Sequence, residues 1–251
     1  MYLFKRAYEI IFEEDDIDYM YISRRSLRPV MTFTTGDITE SGKAFARGMY
    51  TISEIVSKMG YSLSDLADSS FDKEAKYNIR ELEEYPEVKK LLSSPTILSK
   101  ERELAEPGIK YLEDSGLFNS DIVVADVGWH GTTQYILKRI QESVSDKATI
   151  FGLYLGCLDS TNERIGKENY RAFAFSEEKN SDFAKGILLF ESLILAPHGS
   201  TRRYLNKAGI IEPELGEPDN ISEFLSGVQR GAVEFVKDFK DSCLGENIEL
   251  G

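Results

Sequence analysis

The segment that most constrains the fold is VVADVGWHGTTQ, residues 123–134, where an apolar run meets a carboxylate, two glycines and two threonines. This order predicts a strand that turns through glycine into the N-terminus of a helix. Unpaired backbone N–H groups and the helix dipole converge at such a turn and favour negatively charged groups. We therefore predict that the turn binds an anionic ligand.

Patterns typical of strands and helices alternate around this segment. The expected strands are 121–127, 149–156 and 169–175, and the expected helices are about 131–144 and 181–195. Such alternation indicates a mainly parallel sheet. The expected fold class is therefore α/β, with a Rossmann-like, mainly parallel sheet, a helical insert and C-terminal helices.

The N-terminal part of the chain begins with an apolar helix over residues 1–12, which needs packing partners on several sides. Residues 17–23, IDYMYIS, have the β-branched and aromatic content of a strand. SRRSLRP, residues 23–29, would then lie at the carboxyl end of that strand, where open α/β sheets bind ligands.

The remaining segments complete a single predicted domain over residues 1–251. Residues of about 40–115 have helical spacing and form the predicted insert, in which Pro107-Gly108 is expected to break a helix. The apolar residues 187–196 predict a buried helix, and 195–204, LAPHGSTRRY, a loop. Residues 208–218 are expected to be a second loop before an amphipathic C-terminal helix.

Charge and cysteine content limit the classes of partner and compartment. The chain has 43 acidic and 30 basic residues, a net charge of −13, which opposes binding to nucleic acid or an anionic membrane. Cys157 and Cys243 lack metal-ligand spacing, so we assign no metal site and expect a cytoplasmic protein. We expect neither a signal peptide nor insertion into a membrane.

The predicted turn carries side chains suited to catalysis and binding. Asp126 and His130 are the candidate catalytic residues, because a carboxylate and an imidazole can transfer protons. The candidate ligand-binding residues of the turn are Gly128, Trp129, Gly131, Thr132, Thr133 and Gln134. The alternative is structural: Asp126 and the threonines cap the helix, and His130 only donates or accepts a hydrogen bond.

Basic loops elsewhere extend the predicted site. Ser23, Arg24 and Arg25 lie at the carboxyl end of the predicted strand 17–23, and His198 and Ser200 lie in the 195–204 loop. Arginines in both segments would bind phosphate or carboxylate if the three loops converge at one sheet edge. The alternative is that these arginines pair with the abundant acidic residues.

Five motifs together carry a resemblance to a known family. They are YMYISRRSLRPV, VVADVGWHGTTQ, FGLYLG, FESLILAPHGS and VQRGAVEFVKDF. In this order they resemble the C-terminal region of bacterial haloacid dehalogenase-like hydrolases that are associated with glycosyltransferases and surface-polysaccharide biosynthesis. The resemblance spans nearly the whole chain.

The resemblance implies a larger architecture, because fuller relatives carry a phosphohydrolase-type domain and an Arg-Asp-Gly turn before the first helix. Neither is present here, and Asp16-Ile17-Asp18 precedes the predicted strand instead of ending one, so we do not expect it to be the hydrolase nucleophile. We expect the chain to be the C-terminal part of this architecture. Whether it is an enzyme stays open.

Two functions follow as hypotheses. In the first, the domain binds a phosphorylated sugar or a nucleotide, with magnesium as a candidate cofactor, and supports group transfer or hydrolysis. In the second, it is a non-catalytic accessory or truncated domain that interacts with glycosyltransferase machinery. The apolar first helix further suggests a homo-oligomer or a partner protein.

Overall fold

A computed structural model describes residues 1–45, 47–66, 70–145, 148–176, 186–218 and 223–244. The α-helices are α1 Tyr2–Phe12, α2 Arg24–Thr35, α3 Ile52–Lys58, α4 Pro86–Leu92, α5 Pro95–Asp114, α6 Thr132–Val144, α7 Ser160–Ile165, α8 Ile187–Leu193 and α9 Glu223–Phe239. The strands are β1 Met49–Thr51, β2 Lys76–Asn78, β3 Ile122–Trp129, β4 Ile150–Cys157, β5 Tyr170–Phe175, β6 Thr201–Lys207 and β7 Ile210–Leu215. The described chain is therefore a mixed α/β structure.

The central sheet contains β3, β4 and β5 in that order, and all its strands are parallel. Asp126 pairs with Tyr154 in the register, and Gly128 pairs with Gly156. Helix α6 connects β3 to β4, as predicted, and α7 connects β4 to β5, where no helix was predicted. The α/β class and the three parallel strands are thus confirmed, while the two smaller sheets, β1–β2 and β6–β7, are antiparallel.

The two larger apolar cores of the described residues organise most of the helices. Helices α2, α5 and α6 meet the parallel sheet around Leu27, Leu112 and Leu137, all fully buried. A second core lies within the segment from Ile38 to Ile97, where α3 and α4 together contribute half of the buried side chains. The predicted insert of residues 40–115 therefore contains a core of its own, although its exact boundaries stay a prediction.

The predicted strand over residues 17–23 is wrong, because this segment has no regular secondary structure. Its backbone is satisfied by side chains instead of by a neighbouring strand. The amide of Tyr21 donates to the Tyr111 hydroxyl at 2.8 Å, and its carbonyl accepts from the Tyr204 hydroxyl at 3.0 Å. The half-buried Tyr111 and the buried Tyr204 thus take the place of a sheet partner.

The prediction that residues 23–29 form a loop after a strand is wrong. Ser23 is the N-cap of α2, and residues 24–29 form the first turns of that helix. The Ser23 hydroxyl accepts from the Ser26 amide at 3.1 Å and caps this helix. Arg28 is buried within the helix and pairs with the buried Glu101 of α5. This arginine therefore follows the structural alternative and pairs with an acidic residue.

Pro107-Gly108 does not break a helix, because α5 continues through both residues to Asp114. A side chain at Gly108 would lie 2.4 Å from Cγ2 of Val30 and 3.2 Å from the Tyr204 ring. The glycine is therefore a point of close helix packing. Tertiary contact overrides the weak helix propensity of glycine and proline here.

The predicted loop over residues 208–218 is also wrong, since Ile210–Leu215 is the second strand of the β6–β7 hairpin. Ala208 and Gly209, with φ of +54° and +94°, form the two-residue turn between the strands. Two consecutive residues with positive φ match the right-handed twist of a hairpin. Residues 201–204 of the first predicted loop belong to β6.

The C-terminal helices carry apolar side chains on their surface. A helix forms within residues 187–196, as predicted, but the prediction that it is buried is wrong, because Leu188 and Leu189 of α8 are 78% and 62% exposed. Helix α9 forms as predicted, yet Phe224 and Phe235 are 75% and 68% exposed. The first residues of both predicted helices lie outside the described part. No helix in the described residues is long and apolar enough to cross a membrane.

Candidate functional site

The turn after β3 has an unusual backbone. Gly128, Trp129 and Gly131 have positive φ values of +104°, +64° and +59°. The amide of His130 donates to the carbonyl of Gly128 at 3.0 Å, which makes Trp129 the central residue of a rare type of γ-turn. A bulky residue with positive φ persists only where its surroundings hold it, and such strain is typical of binding sites.

Trp129 is held on three sides. Its indole Nε1 donates to Glu191 Oε1 at 2.7 Å, and its ring stacks on Phe175 with 5.8 Å between the centroids. Its carbonyl accepts from the Leu158 amide at 2.7 Å and the Thr161 hydroxyl at 2.9 Å. These contacts bring the ends of β3, β4 and β5 together at one edge and fix the turn between them.

His130 contacts Ser160 at that edge. Its Nδ1 lies 2.8 Å from the Ser160 hydroxyl, while its carbonyl accepts from Arg164 at 3.0 Å. Desolvation and the positive charge of Arg164, followed by those of Arg80 and Arg24, lower the pKa of His130. The imidazole is therefore neutral at pH 7 and can accept a proton.

Asp126 has a different environment from His130. Burial raises the pKa of this carboxyl group, against the opposing effects of the Val127 amide and the Met1 amino group. The Val127 amide donates to Asp126 Oδ1 at 2.7 Å, and Glu191 adds a like charge that raises the pKa further. No contact in the described structure joins Asp126 to His130, so the two candidate catalytic residues do not form a pair.

Helix α6 begins beside this turn, with Gly131 as its N-cap. The first amide with a partner inside the helix is that of Tyr135, which donates to the Gly131 carbonyl at 3.0 Å. Thr132 is buried and accepts from Arg164, whereas Thr133 is half-buried. Because its N-cap residue is a glycine, the N-terminus of α6 has no side-chain cap from that residue.

Gln134 has a structural role that the sequence did not predict. Its side-chain amide donates to the carbonyls of Ile150 and Asn169, both at 2.9 Å, and its oxygen accepts from the Tyr154 hydroxyl. All three partners lie in or next to the central sheet. The fully buried Gln134 therefore joins α6 to the sheet, and its amide is not available to a ligand.

A cleft of about 630 Å³ opens next to the His130–Ser160 contact. Its lining includes the side chains Lys43, Arg47, Arg80, Tyr135, Ser160 and Arg164. Arg47 and Arg80 come from the segment predicted as the insert, and Arg164 comes from α7 after the parallel strand β4. The cleft thus lies between the insert and the carboxyl edge of the sheet, where ligands bind in many α/β proteins.

The arginines of this cleft influence one another. Burial and the charges of Arg80 and Arg47 lower the pKa of Arg164 to about 10, so its guanidinium stays charged at pH 7. Arg80 donates to the Phe45 carbonyl at 2.7 Å, and its pKa is lowered by burial and by Arg47 and Arg24. Among the described residues, no carboxylate oxygen lies within 4.0 Å of either guanidinium group. These two charges are therefore only partly compensated.

Acidic groups contribute little to balancing the cleft. Glu163 and Glu81 also line it, but the Arg47–Glu163 pair is 3.8 Å long and both side chains are more than 70% exposed. Exposed pairs of this kind are weak and are screened by salt. Lys43 pairs with Glu83 at 2.5 Å. The net field at Arg80 and Arg164 thus favours an anion.

The two other predicted loops meet each other. The Ser23 hydroxyl donates to the Thr201 carbonyl at 2.6 Å, and His198 Nε2 lies 3.0 Å from the Tyr19 hydroxyl. Ser200 is exposed, and its carbonyl accepts from the Gly216 amide at 2.8 Å. Within the described residues, no hydrogen bond or ion pair connects His198 or Ser200 to the turn after β3.

Arg24 influences the turn after β3 through its charge. It is exposed at the start of α2, and its charge is among those that lower the pKa of His130 and Arg164. Arg25 is exposed next to it, and the structure adds nothing to its predicted role. Arg203, which the sequence places in the predicted 195–204 loop, lies on β6 and pairs with Glu214 at 2.5 Å across the hairpin. Convergence of all three loops on one ligand stays a prediction.

The residues that sequence reasoning missed are Arg47, Arg80, Arg164 and Ser160. Ser160 and Arg164 both lie on α7, but Arg47 and Arg80 are far from them in sequence, and only the fold brings the four residues to one cleft. Among the described residues, no group of three His, Cys, Asp or Glu side chains is arranged to hold a metal ion. A magnesium ion would need oxygens from the ligand itself.

Comparison with models of known protein families finds no match for this chain, and no curated protein sequence matches it. The resemblance to haloacid dehalogenase-like proteins therefore stays a prediction.

Proposed function

We propose that this chain is a Rossmann-like α/β domain that binds a phosphorylated sugar or a sugar nucleotide at the carboxyl edge of its parallel sheet. The observation that carries the proposal is the cleft in which Arg80 and Arg164 have no carboxylate partner among the described residues. Two such charges beside a glycine-rich turn are suited to phosphate oxygens. Relationship to the haloacid dehalogenase-like proteins of polysaccharide biosynthesis is part of this proposal.

The charge distribution supports a specific anion site over general binding to polyanions. The chain has a net charge of −13, so a nucleic acid or an anionic membrane would be repelled by most of its surface. The positive charge at the cleft is local. A small ligand with one or two phosphate groups that binds to Arg47, Arg80 and Arg164 would meet only two acidic side chains of the described lining, Glu81 and Glu163.

The remaining residues of the site have distinct proposed roles. Trp129 fixes the turn, and neutral His130 faces the same edge as a proton acceptor. The N-terminus of α6, at Thr132 and Thr133, adds unpaired amides to the positive field. Asp126 would act on a sugar hydroxyl as a base once deprotonated, which together with His130 would support group transfer or hydrolysis.

A thermal-shift screen tests this function. The ligands are inorganic phosphate, pyrophosphate, glucose 1-phosphate and uridine diphosphate, each with and without magnesium. A ligand at about a hundred times its Kd stabilises the folded state by roughly 2.7 kcal/mol, which raises the melting temperature by several degrees. If none of the four raises it in either condition, the proposed function is wrong.

A second candidate function is supported by the exposed apolar surface. Val123, Leu153 and Phe173 lie on the parallel sheet and are 63%, 45% and 91% exposed. Parallel sheets are usually covered on both faces, and large exposed apolar patches mark interaction sites. With the exposed phenylalanines Phe4 and Phe12 of α1, this surface suits the non-catalytic accessory domain and the homo-oligomer or partner considered above.

Light scattering coupled to size-exclusion chromatography tests the homo-oligomer at micromolar concentration. Replacement of Phe173 by Ser should return an oligomer to the monomer, since this side chain is 91% exposed and contributes little to the fold of a single chain. Phe33→Ser is the control, because Phe33 belongs to α2 and not to a sheet strand, is 37% exposed and has its ring beside the Arg102 guanidinium at 5.6 Å. A wild-type monomer at all concentrations excludes the homo-oligomer.

A further inference from the structure

Ser160 and His130 follow two adjacent parallel strands, β4 and β3, and their side chains meet at 2.8 Å between Oγ and Nδ1. In the tautomer with the proton on Nε2, the hydroxyl donates to the ring nitrogen. A hydroxyl and a base within hydrogen-bonding distance are the arrangement by which enzymes activate a serine. The ordinary serine hydroxyl is a weak nucleophile without such a neighbour.

The pair lies at the positive cleft. Ser160 lines it together with Arg47, Arg80 and Arg164. Arg164 also donates to the His130 carbonyl at 3.0 Å and to Thr132, which fixes the backbone that carries the imidazole. Positive groups around an attacked phosphoryl group stabilise the charge that its oxygens carry in the transition state.

We propose that Ser160 is the nucleophile, and His130 the general base, of a phosphoryl transfer from a phosphate monoester bound in this cleft. The inference rests on the proposed function, since it requires that the cleft binds phosphate. In the first step a bond forms between Ser160 Oγ and phosphorus, and the bond from phosphorus to the ester oxygen breaks. The proton of the hydroxyl moves to His130 Nδ1 and then to the leaving oxygen, which departs as an alcohol.

Water completes the cycle. His130 accepts a proton from a water molecule, whose oxygen bonds to phosphorus as the bond to Ser160 Oγ breaks. The proton held by His130 then passes to Ser160 Oγ, which restores the hydroxyl and releases inorganic phosphate. The two steps together hydrolyse one ester bond, with no oxidant, reductant or further reactant besides water.

The test uses the full chain and p-nitrophenyl phosphate, with p-nitrophenol release as one measurement and acid quenching followed by peptide mass spectrometry as the other. We expect release by the wild type and a phosphoryl group on the peptide that contains Ser160. Ser160→Ala should reduce turnover to background, and His130→Gln should reduce it by about 10²- to 10⁴-fold. Ser143→Ala is the control, because Ser143 is exposed on α6 and its hydroxyl donates only to the Arg139 carbonyl.

Calorimetric binding of inorganic phosphate to each variant separates the two proposals. If the wild type binds phosphate but neither releases p-nitrophenol nor forms phosphoserine, the nucleophile assignment is wrong and the proposed function stands. Turnover by Ser160→Ala equal to that of the wild type also overturns the assignment. If the wild type does not bind phosphate, the proposed function fails as well. Retained binding by Ser160→Ala would show that its loss of turnover is not a loss of folding.

Discussion

Arg28 of α2 donates a hydrogen bond to Glu101 of α5 in the protein interior, where each residue is at most 3% exposed. The Tyr61 hydroxyl donates to the same carboxylate at 2.6 Å, and Arg28 also donates to the Met59 carbonyl at 3.1 Å. This network joins α2 and α5 to the segment that follows α3. It satisfies one oxygen of Glu101, while Oε2 is buried without a hydrogen-bond partner in the described structure.

Replacement of Glu101 by Ala should lower the free energy of unfolding by about 3–5 kcal/mol, because it leaves the Arg28 charge buried without its partner. Urea denaturation measures the change. The control is Glu113→Ala, which removes an exposed carboxylate 3.0 Å from Lys110 and should change stability by no more than about 0.5 kcal/mol. Equal effects of the two substitutions would contradict the account of the buried pair.

Replacement of a helical glycine by alanine should have opposite effects on stability at Gly108 and at Gly231. Gly108→Ala should destabilise the fold by about 1–3 kcal/mol, because its methyl group would lie 2.4 Å from Val30 Cγ2. Gly231→Ala should stabilise it by about 0.5–1 kcal/mol, since nothing lies within 4 Å and alanine favours the helix. Val30→Ala should partly rescue Gly108→Ala. If the single substitution Gly108→Ala stabilised the protein, α2 and α5 would have to be further apart than the 2.4 Å contact with Val30 requires.

Replacement by Asn should change the free energy of unfolding at pH 7 in opposite directions at Asp126 and at Asp121. Because burial raises the folded-state pKa of Asp126, its contribution is favourable at low pH and is lost as the pH rises through that pKa. Asp126→Asn should therefore raise the free energy of unfolding at pH 7, and the gain should shrink as the pH falls. A loss of stability at pH 7 would show that the Asp126 charge is well compensated in the folded state.

Asp121 is the control for this pH dependence. Hydrogen bonds from the hydroxyl and the amide of Thr149 lower its pKa, so its contribution is present above the unfolded pKa and is lost in acid. Asp121→Asn should thus destabilise the protein at pH 7, and this loss should shrink as the pH falls through the folded-state pKa of Asp121. Urea denaturation at several pH values measures both variants.

The parallel sheet could be predicted because its strands and α6 have clear local patterns on both sides of a glycine turn. The strand pattern of residues 17–23 failed because Tyr111 and Tyr204, far along the chain, satisfy Tyr21. Likewise, Gly108 continues a helix because Val30 and Tyr204 lie against it. These are tertiary contacts that no local window contains.

The candidate site could be predicted only where it is contiguous in sequence. His130 and its turn are adjacent residues with a recognisable order of glycines, and the structure places them at the carboxyl edge of the sheet. Arg47, Arg80 and Arg164 are far apart in sequence, and none lies in a motif. The resemblance to a family did not indicate them, and their common cleft became visible only in the fold.

The central claim is that Arg164 and its neighbours bind phosphate at this edge of the sheet, and calorimetric titration with pyrophosphate tests it most directly. Arg164→Ala should raise the Kd about 10- to 100-fold, since a hydrogen bond between charged groups contributes about 1.5–3 kcal/mol. Arg203→Ala removes the same charge from a hairpin arginine that pairs with Glu214, and should leave the Kd within about twofold. An equal Kd for wild type and Arg164→Ala would contradict the claim.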